Sequence, residues 1–194
     1  MSSSNTLTSN IYVQVSAEAI DKLPDGRLVI GNSNGLSSQT KTNDWLTHAE
    51  VEHSSVNDLK HIDQQTVLAA TDSGIQKSKT KYLFDVLIVA NPDNVECKFI
   101  YEYTPRKGAE TIKFVATTSG LYMFDNMTIK NIDISFKGNI TGFCVFNGIL
   151  YVAAKSTTNT VGGIYIYDNT SKTLKKDTLF GDVDAISIFN QNDS

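Results

Sequence analysis

Apolar and polar positions alternate with a period of two through much of the chain. Ile112, Phe114 and Ala116 alternate with Lys113 and Val115, and Ile164 and Ile166 alternate with Tyr165 and Tyr167. Alternation of β-branched and aromatic residues marks strands, because successive side chains of an extended backbone leave on opposite faces. Only "TNDWLTHAEVEHSS" carries a hint of a helical stripe, and it reads equally as a strand with irregular flanks. The pattern predicts an all-β chain. Inner-type strands are expected over residues 19–23, 56–62, 95–103 and 140–146, each followed by a second strand over 27–32, 66–71, 111–117 and 149–154. A lone strand is expected at each end, over 10–15 and 183–189.

The predicted strands fall into a repeat. "PDGRLVIGNSNGL", "QQTVLAATDSGI", "ETIKFVATTSGLYMFD" and "NGILYVAAKSTTNTVGGIYIYDN" share one order: turn, short apolar strand ending in small residues, polar turn closing on Gly, second strand. Their anchoring glycines, Gly35, Gly74, Gly120 and Gly163, are 39, 46 and 43 residues apart. A period of about 40 to 50 residues built from strands is the signature of propeller blades. Glycine after a polar pair suits the positive φ of a tight hairpin. The small residues that end the second strands, Gly31, Ala69, Ala70, Ala116, Ala153 and Ala154, suit places where neighbouring sheets crowd together.

Three stretches carry a family resemblance: "GGIYIYDNTSKTLKKDTLFGDVDAISIF", "GLYMFDNMTIKNIDISFKGNITGFCVF" and "LPDGRLVIGNSNGL". Their order of turn glycine, strand ending in aromatic-Asp, polar turn, strand and Gly-x-x-Asp resembles the junction between WD repeats. Tyr167-Asp168 and Phe124-Asp125 stand where that family has Trp-Asp, and Gly181-Asp182 and Gly138-Asn139 stand where it has Gly-His. The stretch "GLSSQTKTNDW" is similar to an Asp-box, so quinoprotein-like and Asp-box propellers share the field. The resemblance implies a β-propeller of about four four-stranded antiparallel blades with an incomplete closing blade. It divides the chain into a flexible segment 1–9, a propeller or partial propeller 10–190, and a tail 191–194.

Composition changes this picture little. With 40% hydrophobic and 20% charged residues, the 194-residue chain is that of a folded domain. A net charge of −4 argues against nucleic acid or an anionic membrane as the main partner. The Lys clusters at Lys77, Lys79, Lys81 and at Lys172, Lys175, Lys176 are expected on solvated strand edges. The start "MSSSNTLTSN" has neither a basic nor an apolar signal region, and no apolar run reaches a membrane-spanning length. A cytoplasmic or nuclear setting is therefore expected, with Cys97 and Cys144 as buried thiols. Asn126, Asn139, Asn169 and Asn192 head glycosylation-acceptor patterns, at a frequency near chance in a chain this rich in Asn, Ser and Thr.

Candidate chemistry is sparse. His48, His53 and His61 have no metal-site spacing, and Ser54 or Ser55 beside His53 and Asp58 lacks a nucleophile elbow. Arg27 and Arg106 are too few for a sialidase-type carboxylate clamp. Asp21, Asp58, Asp72, Glu102, Asp125 and Asp168 are read as caps of turns and blade corners rather than as glycosidase acids. No nucleotide-binding glycine loop is present, and no cofactor is expected. The reading is a non-catalytic interaction scaffold that is one part of a larger assembly. A protein partner, a second copy or another part of the same polypeptide would complete the seam. Its expected contact residues are Ile11, Val13 and Val15 at one end, Val183, Ile186, Ile188 and Phe189 at the other, and Trp45 as an aromatic anchor. A carbohydrate-active propeller and a virion or tail-assembly part are the alternatives.

Overall fold

The computed structural model describes residues 17–23, 25–40, 45–48, 55–61, 67–77, 87–89, 96–125, 128–133, 135–158 and 160–181. They form sixteen strands and, among the described residues, no helix. The first sheet runs β1 (Ala19–Lys22), β2 (Leu28–Asn32), β3 (Gly35–Gln39), β4 (Trp45–His48). The second runs β5 (Val56–His61), β6 (Val67–Thr71), β7 (Gly74–Lys77), β8 (Leu87–Val89). The third runs β9 (Cys97–Tyr103), β10 (Ile112–Thr117), β11 (Gly120–Asp125), β12 (Thr128–Asn131). The fourth runs β13 (Asn139–Phe146), β14 (Ile149–Lys155), β15 (Gly163–Asp168), β16 (Thr173–Lys176). Each sheet is an antiparallel meander in chain order, the blade of a propeller. The expected inner and second strands match β1, β2, β5, β6, β9, β10, β13 and β14 to within two residues at either end. The expected terminal strands over 10–15 and 183–189 lie outside the described residues.

The four anchoring glycines do the same job. Gly35, Gly74, Gly120 and Gly163 each open a third strand with φ of 130°, 123°, 155° and 152°. In the first three blades the residue across the hairpin caps the turn with its side chain. Thr71 Oγ1 and Thr117 Oγ1 donate to the Gly74 and Gly120 carbonyls at 2.9 and 2.8 Å and accept from the Ser73 and Ser119 amides. Asn32 Oδ1 accepts from the Asn34 amide. In the fourth blade a longer loop replaces this turn, held by the Thr157–Thr160 bridge.

The sheets pack face to face in chain order, and each of the three large apolar clusters lies between consecutive sheets. Ala19, Leu23, Val29 and Leu36 meet Val56, Leu59, Val67 and Ala69. Leu68, Ala70 and Ile75 meet Cys97, Ile100, Val115, Tyr122 and Phe124. Phe114, Ala116 and Leu121 meet Ile140, Phe143, Val152, Ala154, Tyr165 and Tyr167. The small residues are placed where crowding is greatest. A Cβ added at Gly31 would lie 2.3 Å from Val56 Cγ1. Among the described residues no apolar cluster joins the fourth sheet to the first.

One feature of the inner strands escapes a period-two reading. Each of β5, β9 and β13 shifts register near its start, leaving Asn57, Lys98 and Thr141 as extra residues opposite the second strand. Across such a bulge, residues three apart share a face. Val56 and Leu59, Cys97 and Ile100, and Ile140 and Phe143 therefore pack together against the preceding sheet.

Candidate interaction surface

Polar pins tie the inner strands together. Asp21 Oδ2 in β1 accepts from the His61 amide at 2.6 Å and pairs with His61 Nδ1 at 2.8 Å in β5. Asp58 Oδ2 in β5 accepts from the Ile100 amide at 2.8 Å in β9, while Asn57 Nδ2 donates to the Cys97 carbonyl at 2.8 Å. Burial raises the Asp58 carboxyl above its ordinary value, against the opposing pull of the Ile100 and Leu59 amides. These placements correct the expectation that Asp21 and Asp58 cap turns: both lie within inner strands and join one blade to the next. Asp168 does cap a turn, accepting from the Thr170 and Ser171 amides. The Lys175 ammonium, with those amides, holds its carboxyl below the usual range.

The third and fourth blades are joined differently. Tyr103 OH donates to the Gly148 carbonyl at 2.7 Å, and Asp133 Oδ2 accepts from the Leu174 amide at 3.1 Å. Partial burial pushes the Asp133 carboxyl up, but hydrogen bonds from Ser135, Leu174 and Phe136 outweigh it and hold it below its ordinary value. Cys97 and Cys144 are both buried, as expected, and burial pushes the Cys97 thiol up to about 12. Among the described residues, no group of three metal-ligating side chains comes together, and no helix is long and apolar enough to cross a membrane.

The distribution of exposed apolar side chains is uneven. Ile20, Trp45, Phe146, Ile149, Val161, Leu179 and Phe180 are the large exposed hydrophobics among the described residues. All of them belong to the first sheet, the fourth sheet or the loops of the fourth. The described residues of the middle two sheets contribute none.

Position explains two of them. Ile20 pairs with Ile30 and occupies the place that Leu59, Ile100 and Phe143 hold in the other blades, each opposite the residue two before the hairpin glycine's partner. Those three residues pack on a preceding sheet. Ile20 has no described sheet before it and is 63% exposed. Phe146 holds the place of Leu23 and Tyr103, which are 5% and 4% exposed beneath the following sheet, yet Phe146 itself is 44% exposed. Both exposed sites are thus core positions of the repeat, uncovered where the array ends.

Trp45, the expected aromatic anchor, starts the outermost strand of the first sheet opposite Gln39, on the Ile20 side, and is 46% exposed. Ile11, Val13, Val15, Val183, Ile186, Ile188 and Phe189 lie outside the described residues. Sequence reasoning did not single out Ile20, Phe146 or Ile149. Aligning the repeats strand by strand, rather than by glycine alone, exposes them as core-type residues in the first and last blades.

No protein-family model and no curated protein sequence matches the chain. Solved structures do. The extracellular domain of the hybrid two component system BT4673 from B. thetaiotaomicron is 16% identical, with a TM-score of 0.60 over 88% of this chain and 24% of that one. The Dos1 propeller is 11% identical, with a TM-score of 0.57 over 77% of this chain and 43% of that one. At these identities the likeness is one of fold, and it is to propeller-like structures. This chain spans 24% of the length of the first and 43% of the length of the second. The resemblance to WD repeats gains no family match. The expected cytoplasmic or nuclear setting gains no support either, since the BT4673 neighbour is an extracellular domain.

Proposed function

We propose that the chain is a non-catalytic interaction module, a run of propeller blades whose end sheets are covered by protein supplied from elsewhere. The observation that carries this reading is that, among the described residues, the large exposed apolar side chains lie in the first and fourth sheets and the fourth's loops, with Ile20 and Phe146 at positions that are buried in other blades. Apolar surface gathered in this way marks a protein contact. The partner surface is a further blade-like sheet, because the uncovered positions are those a neighbouring blade fills elsewhere in this chain. It comes from a longer form of the same polypeptide or from a second chain.

The test is a tagged chain purified from its native source, with the assembly's stoichiometry measured by light scattering. Ile20→Asp with Trp45→Ser, or Phe146→Asp with Ile149→Ser, is expected to release the partner or the rest of the assembly. Lys107→Asp, in an exposed loop of the third blade, is expected to leave it intact. Retention of the same assembly by both end-sheet variants defeats the reading.

A further inference from the structure

We infer that the loop leaving the fourth sheet, residues 177–181, docks on the outer edge of the first sheet of a second copy of this chain, at Trp45. The inference rests on the interaction reading and names its partner. The loop that joins the third sheet to the fourth shows how such a contact is made. Asp133 opens it, and its Oδ1 accepts from the Ser135 amide at 3.0 Å, which turns the chain. Its Oδ2 accepts from the Leu174 amide at 3.1 Å in β16 of the next sheet. Phe136, three residues after Asp133, is buried edge to face against Tyr165 in β15, 4.8 Å away. An acid and a phenylalanine three apart thus clamp the two outer strands of the following sheet, one through a backbone amide and the other through a ring.

Residues 177–181 carry the same pair. Asp177 Oδ1 accepts from the Leu179 amide at 2.9 Å, and Phe180 is three residues after Asp177. The loop is anchored as its counterpart is. The Asp177 amide donates to the Ile164 carbonyl at 2.8 Å, as the Ile132 amide donates to the Leu121 carbonyl at 3.2 Å, and Ile164 and Leu121 each follow a hairpin glycine. Asp177 is therefore one residue nearer its sheet than Asp133, in a shorter loop. Phe180 is nevertheless 53% exposed, and Leu179, at 89%, is the most exposed large hydrophobic among the described residues. The clamp is built, and its apolar arm lies in solvent.

The first sheet offers what the clamp takes. Leu174 pairs with Tyr167, four residues after Gly163, and Trp45 pairs with Gln39, four residues after Gly35. Trp45 therefore holds the place of Leu174. Leu174 packs on the aromatic cluster, whereas Trp45 is exposed. The place of Tyr165 falls to Ser37, since the two pair with Val152 and Ile30 and each follows its glycine by two residues. Tyr and Leu in the fourth sheet thus become Ser and Trp in the first, and the ring that Phe180 meets moves from the third strand to the outermost. Among the described residues, one end of the chain has a clamp without a strand, and the other has a strand start without a clamp. Both are exposed in the same chain, so the contact is between copies, head to tail.

Trp45 is the only tryptophan, so its emission reads the contact directly. In the purified full chain, light scattering is expected to show the mass rising from one copy to two or more with concentration, while Trp45 emission shifts to the blue. Leu179→Ser with Phe180→Asp, two exposed loop side chains, is expected to keep the chain at one copy with red-shifted emission throughout. Adding a Trp45→Ser chain, which lacks tryptophan but keeps its clamp, is expected to restore the blue shift to that variant and to stop at two copies. If Trp45→Ser does not fold, Trp45→Phe supplies the clamp and the emission shift is read alone. A wild-type chain that associates without a Trp45 shift, or a mixture that leaves Trp45 emission unchanged, overturns the docking. A purified chain that stays at one copy with Trp45 exposed overturns the second copy alone. The interaction reading would then stand on the native assembly, where Ile20→Asp with Trp45→Ser would still release a different protein.

Discussion

The contact between the first two sheets and the contact between the last two solve the same packing problem with different side chains. Between the first and second sheets the filling is aliphatic and small, with Ala19, Ala69 and Gly31 letting the backbones approach and Val56 and Leu59 filling the gap. Between the third and fourth it is aromatic. Phe114 lies against Tyr167 at 4.9 Å edge to face, Tyr101 stacks on Phe143 at 4.8 Å, and Phe136 meets Tyr165 at 4.8 Å. Polar ties differ in step. Asp21 and Asp58 pin inner strand to inner strand in the first three blades, whereas Tyr103 and Asp133 hold the fourth blade through a turn and its outermost strand. The difference teaches that the blade repeat conserves positions rather than residues. An i, i+3 pair across a bulge is filled by Val and Leu, Cys and Ile, or Ile and Phe, with the facing sheet sized to match.

Breaking each contact in turn shows how far this equivalence holds. Phe114→Ala, which empties the centre of the aromatic contact, is expected to lower stability by about 3–5 kcal/mol in urea unfolding. A loss below about 1 kcal/mol would mean that the third and fourth sheets are not held by this cluster. Gly31→Val drives a branched side chain into Val56 and is expected to cost about 1–3 kcal/mol by overpacking, with Val56→Ala restoring part of the loss in the double variant. Additive losses would separate the two residues. Tyr103→Phe removes one hydrogen bond, to the Gly148 carbonyl, and is expected to cost about 0.5–1.5 kcal/mol.

The smallest effect is one of pH. The Asp133 carboxyl is held below its ordinary value in the folded chain, so its contribution is present above the unfolded value of 3.8 and is lost as pH falls through the lower folded value. Asp133→Asn should therefore be less stable than wild type at pH 7, with the gap closing below about pH 4. Asp58 has the opposite sign. Its raised value favours the folded state as pH falls, and Asp58→Asn should remove that acid-side gain. A gap for Asp133→Asn that widens in acid would reverse the assignment.

Much of this architecture was legible along the chain, for identifiable reasons. The second strands are short apolar runs bounded by turn residues, and "TDSG" and "TTSG" name their own hairpins because the Thr hydroxyl caps the turn and the Gly takes its positive φ. The outer strands were less legible: β4 begins at Trp45 in a stretch with mixed helical and strand pattern. The bulges were missed because an i, i+3 apolar pair inside a strand breaks the period-two template. The inter-blade pins were missed because an Asp inside a strand looks like an Asp beside a turn until the neighbouring blade is in place. The exposed ends could not be read at all from hydrophobicity. Ile20 and Phe146 are core residues by type and by repeat position, yet both are exposed.

Hydroxyl-radical footprinting, comparing the isolated chain with the native assembly, tests the central claim most directly. The account predicts that Trp45, Ile20, Phe146 and Ile149 react in the isolated chain and become protected in the assembly, while Phe114, Tyr122 and Leu121 of the third blade stay unreactive in both. Protection of the end sheets already complete in the isolated chain, or an assembly that leaves Trp45 and Phe146 as reactive as before, would contradict it.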